Sequence, residues 1–185
     1  MKKNSVTKLS TAAVLLAIII VMQLIKNVSA YISGPVINAA LVIAALELGT
    51  VWGLGFSVIV PIMSLFIAPA SPMSMLSGAT HYLTIPIIII GNIILVLAAK
   101  LGSKKGTVIF IISLAAGAVL KWLFMWGGGE LILLRLFSES LGQMAAIVTK
   151  VFSVLQLYSG LLSIILIVPA YKALEKFKKS DSLKN

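Results

Sequence analysis

Apolar residues in this chain arrive in long, nearly unbroken runs, with polar residues gathered between them. Such runs lack the alternation of a half-buried strand, and each approaches the roughly 20 residues that cross a bilayer as a helix. Six are found, at about 9–25, 34–49, 51–68, 82–99, 106–126 and 145–171. Pro61, inside the third, predicts a kink. The pattern predicts an all-α integral membrane protein: one six-helix domain spanning 1–185, with a basic tail over 172–185 and no soluble domain of appreciable size.

Composition supports the bilayer as solvent. Of 185 residues, 60% are hydrophobic and only 11% charged, against about 25% charged in a soluble domain; mean hydropathy is +1.13. A net charge of +10 would suggest nucleic acid in a soluble protein, but here the lysines sit at the ends of apolar runs and report topology, so no nucleic-acid partner is expected. With the N-terminus inside, Lys2, Lys3, Lys8, Lys100, Lys104, Lys105, Lys172, Lys176, Lys178, Lys179 and Lys184 are cytoplasmic. Only Lys26, Lys121, Arg135 and Lys150 fall outside or in the outer half. Both termini are therefore expected in the cytoplasm. The stretch ending "VSA" at Val28–Ala30 has the outline of a cleavable signal peptide. The long apolar run, and Lys26 just before that site, favour a retained first span.

Catalytic chemistry has little material. There are no cysteines and one histidine, His81, and the H-E-x-x-H, G-x-S-x-G and P-loop patterns are absent. We expect no enzyme activity, no cofactor, no metal site and no ATP hydrolysis by this chain.

Polarity instead concentrates at the expected outer end. The first loop carries Lys26, Asn27, Tyr31 and Asn38, and the third carries His81 and Tyr82. Lys121 and Lys150 lie inside spans, where a charge must snorkel, pair or meet water or a ligand; Glu130 and Glu139 are possible partners. Trp122 and Trp126, four apart, share a helix face that fits either an interfacial belt or a stacking wall. Lys150, Ser153 and Gln156 are expected near one face of the sixth span, while Asn92 reads as an interhelical hydrogen-bonder. The segment "MWGGGELILLRLFSESLGQ" should lie on the membrane surface or close over the pocket, its glycines acting as hinge or helix terminator.

The first run also has a small face, with Ala13 and Ala17 four apart in "LSTAAVLLAIII". Together with "GPVINAALVIAALELGTVWGLGFSVIVPIMSLF" and "VPAYKALEK", this A-x-x-x-A in a six-span chain under 200 residues resembles the substrate-binding S components of energy-coupling factor (ECF) transporters. The resemblance implies capture of a vitamin or related micronutrient outside and its release inside by toppling. It also implies a membrane coupling subunit, docked on Ala13 and Ala17, and two ATPase subunits that supply the work. It does not assign ligand positions. The excess of outer lysine over unpaired carboxylate favours a neutral or carboxylate-bearing ligand, with a ring for Trp or Tyr to stack on. The main alternative is an autonomous small secondary transporter or channel, which would need coupling charges near the midplane.

Overall fold

A computed structural model describes residues 5–80 and 82–182 of the chain. Among them the elements are helical throughout, and six stretches are long and apolar enough to cross a membrane. The first three are α1 (Ser5–Lys26), α2 (Ala30–Glu47) and α3 (Thr50–Ile67). A short α4 (Pro72–Ala79) precedes α5 (Thr84–Gly102) and α6 (Thr107–Gly127). The chain then runs through a π-helical segment (Gly128–Leu134) into α7 (Arg135–Leu141), and through a 3₁₀ turn (Gly142–Met144) into α8 (Ala145–Phe152) and α9 (Val154–Ser182).

Helices are the natural state for such runs, because in hydrocarbon every backbone group must find its partner within the segment. Burial then sorts them. α2 buries 61% of its apolar window and is the hub, packing on α1, α3, α5 and α9; α1 buries 22% and lies at the edge. Small residues set the spacing, since close packing replaces the hydrophobic drive in lipid. A side chain at Gly117 would put its Cβ 2.5 Å from that of Ala98, so glycine is what lets α6 approach α5. Gly117→Leu should therefore destabilise the bundle by at least about 1–3 kcal/mol, read as a lower midpoint of thermal unfolding in detergent.

Three differences from the sequence expectations concern the ends of spans. The Gly127–Gly129 triplet neither stops the helix nor forms a free hinge: Gly128 has helical φ −61° and ψ −40°. Gly128 and Gly129 are buried, and a Cβ on either would lie 2.9 Å from Ile87 or Phe152. They are glycines because two helices press on them. The sixth span is not one helix. Ser153 (φ −103°, ψ −95°) breaks it, and α8 leans against α4 and the π segment, burying Val148, Val151 and Phe152 with Leu76 and Leu133. At the far end α9 continues past 171 to Ser182, through Leu, Glu and Lys residues that favour helix.

Candidate functional site

At the end of the bundle where α1 meets α2, helices α1 to α6, α8 and α9 surround a cavity of about 80 Å³, against the roughly 10–15 Å³ needed for one water. Its rim residues Lys26, Ala30, Pro72 and Ser74 are partly exposed; its floor is Asn92 and Lys121. Lys121 lies about 9 Å along the axis from the end of α6.

Lys121 is the centre of the site. It is 2% exposed, and its Nζ donates to Asn38 Oδ1 at 2.7 Å and to Asn92 Oδ1 at 2.9 Å. The Asn38 amide donates in turn to Ser159 Oγ at 3.4 Å, and Ser159 Oγ donates to the Gln156 carbonyl at 3.2 Å. Groups from α2, α5, α6 and α9 thus hold one ammonium in place. Gly91 helps: a Cβ there would meet Met125 at 2.9 Å and Lys121 Cγ at 3.4 Å, so glycine lets Lys121 pass α5 to reach Asn92. A lone ammonium in hydrocarbon costs several kcal/mol; the two amide oxygens offset part of that cost without neutralising the charge.

A second cation stands at the rim. Lys26 Nζ donates to Ser64 Oγ at 2.9 Å, tying α1 to α3. One turn earlier, Gln23 is 1% exposed and its Nε2 donates to the Val60 carbonyl at 3.1 Å. Its Oε1 is buried and has no hydrogen-bond partner. No carboxylate lines the cavity among the described residues. The first turns of α2 and α4 also face it, through Ala30 and Ser33 and through Met73 and Ser74, adding the partial positive charge of helix N-termini.

Of the residues singled out in the sequence, Lys26, Asn38, Lys121 and Gln156 meet at this cavity. Asn92, expected to join helices, lines it as well, whereas Asn27, Tyr31, Tyr82, Trp122, Trp126, Lys150 and Ser153 do not. Asn27 is exposed in the α1–α2 loop. Tyr31 packs edge-on against Tyr158, ring centres 5.6 Å apart, on the outside of α2 and α9. Tyr82, 66% exposed with φ +69°, sits in the connection leading to α5; His81 beside it lies outside the described residues. Trp122 and Trp126 stack on each other at 6.5 Å away from the cavity lining, Trp126 exposed and Trp122 half-buried with its indole Nε1 buried and without a hydrogen-bond partner. Lys150 is exposed and Ser153 only half-buried, because the break at Ser153 takes α8 out of line with Gln156. Lys121 does not snorkel, and the Glu130 carboxylate instead accepts from Thr149 Oγ1 at 3.3 Å. The cover of the cavity is α4 and α8 rather than the glycine segment, since Met73 and Val151 line it and none of the described residues between 127 and 144 does.

The sequence alone did not single out Gln23, Ser33, Ser64 or Ser159; Asn92 is the interhelical hydrogen-bonder expected, joining α5 to Lys121 on α6, and it lines the cavity besides. Gln23 was within reach, since it lies three residues before Lys26 on the same helix face. Trp126 is 45% exposed and away from the cavity, so Trp126→Ala should change ligand affinity less than about threefold, below 1 kcal/mol, in a titration of the purified protein. Comparison with protein-family models, curated proteins and solved structures found no match to this chain.

Proposed function

We propose that this chain is a substrate-binding subunit of an ECF-type transporter, holding a vitamin or related small micronutrient in the Lys121 cavity, with the α1–α2 end facing outward and both termini in the cytoplasm. The observation that carries the reading is a preorganised polar cavity that stops inside the bundle. Below Asn92 and Lys121 the interior is filled by Val42, Leu95, Val96 and Leu114, each fully buried. A blind polar pocket above a sealed apolar core suits capture better than passive conduction.

Ala13 and Ala17 support the partner half of the reading. Both are exposed, with Ser10, Val14, Ile18 and Val21 beside them, so this small face of α1 is free within the chain. On this proposal the coupling subunit covers it, and two ATPase subunits supply the energy. The chain itself would act as a binder and not as an enzyme. A screen of the purified protein by native mass spectrometry and thermal shift against water-soluble vitamins tests this directly. Retention of one compound with a matching rise in unfolding midpoint is expected; a uniformly flat screen would count against the binding role.

A further inference from the structure

The chemistry of the cavity restricts its ligand further than the resemblance does. Lys26 and Lys121 both reach it and no carboxylate among the described residues answers them. In a low-dielectric interior such a pair favours an anion. Donor counting narrows which one. Each ammonium carries three donors. Lys121 commits two of its three to Asn38 and Asn92, and Lys26 commits one to Ser64. Three donors remain, which suits the two oxygens of a carboxylate and falls short of a phosphate dianion, for which no arginine fork is present in the lining.

The walls and the orphaned amide add two constraints. Ile37, Val60, Ile85, Ile88, Val151 and Leu155 supply the apolar surface, and among the described residues no aromatic side chain lines the cavity to stack a ring. The Gln23 amide is fixed in orientation because the Val60 carbonyl can only accept, which turns Oε1 away from that bond. That oxygen, buried and without a partner, calls for a donor, since an unmet buried acceptor costs about 1–3 kcal/mol.

We propose that the cavity selects a compact aliphatic carboxylate that also bears an amide N–H or a hydroxyl, the carboxylate held by Lys26 and Lys121 and the donor met by Gln23 Oε1. This rests on reading the cavity as a substrate pocket. The test is titration of the full-length protein in nanodiscs with N-butyryl-β-alanine, its methyl ester, heptanoate, N-benzoyl-β-alanine and inorganic phosphate. N-butyryl-β-alanine should bind saturably, and its ester at least about thirtyfold more weakly. Heptanoate, which keeps the charge but lacks the amide and is one chain atom shorter, should bind at least about tenfold more weakly, the hydrogen bond to Gln23 Oε1 supplying most of that difference. Gln23→Leu should erase the preference for N-butyryl-β-alanine over heptanoate. Lys26→Gln, at the partly exposed rim and expected to fold, should weaken both acids alike, with unfolding midpoints confirming that each variant is folded. An ester that binds as well as the acid, or a stronger response to phosphate or to the benzoyl compound, would overturn the carboxylate assignment and leave the pocket reading standing. A preference over heptanoate that survives Gln23→Leu would overturn the role given to Gln23. Failure of all five probes together with a vitamin in the wider screen that binds would overturn the ligand class alone; failure of both panels would overturn the pocket as well.

Discussion

Replacing Lys121 by methionine is expected to abolish ligand binding, by at least about a hundredfold, while the protein still folds. Methionine keeps the length and apolar stem of lysine and removes the charge. A fully desolvated charge contact to a ligand is worth roughly 2–5 kcal/mol, and a hundredfold corresponds to about 2.7 kcal/mol. The complication is stability, because the substitution leaves Asn38 Oδ1 and Asn92 Oδ1 without the donor that both now share. Each orphaned oxygen costs about 1–3 kcal/mol, whereas replacing both sides of such a bond with apolar groups can be nearly neutral. The triple variant K121M/N38L/N92L should thus regain unfolding midpoint over K121M and gain nothing in affinity. Affinity measured by titration and stability measured by thermal unfolding then separate the two roles. If the triple variant binds like the wild type, Lys121 is a structural residue.

Ala13→Trp with Ala17→Trp should have the opposite profile: coupled uptake falls to background while ligand affinity stays within about twofold. Both alanines are exposed on α1, the least buried of the six spanning segments. Two indoles there meet lipid or a partner and nothing within the bundle, so stability should change by less than about 0.5 kcal/mol. Helices that approach through small residues depend on near-contact of their backbones, and two indoles on such a face would hold a coupling subunit away. Uptake by cells or vesicles containing the complete transporter, set beside binding by the purified variant, checks this. Normal uptake by the double tryptophan variant would remove this face from the docking surface.

The spans were legible because lipid imposes a simple demand, a long apolar run, which Ser5–Lys26 or Thr84–Gly102 meets without help from the rest of the chain. What happens at their ends was not. The break at Ser153 is made by α8 packing on α4 and the π segment, a tertiary cause with no local breaker in "VTKVFSVLQ". The glycines at 127–129 looked like a hinge because local propensity speaks of flexibility, whereas the close neighbours of Gly128 and Gly129, Ile87 and Phe152, come from other helices. The site was half legible for the same reason. A lysine inside a span announces itself, and so Lys121 stood out. Its partners Asn38 and Asn92 lie 83 and 29 residues away, and periodicity cannot bring them together. For the tryptophans the sequence left a belt and a stacking wall open; α6 turns Lys121 and Met125 inward and leaves Trp126 outside.

The most direct measurement is substrate accumulation in sealed proteoliposomes, comparing this chain alone with the chain joined to the proposed coupling and ATPase subunits. Binding without accumulation is expected for the chain alone, and ATP-dependent accumulation only with the full set. Accumulation by the chain alone, with or without an ion gradient, would contradict this expectation and identify an autonomous transporter.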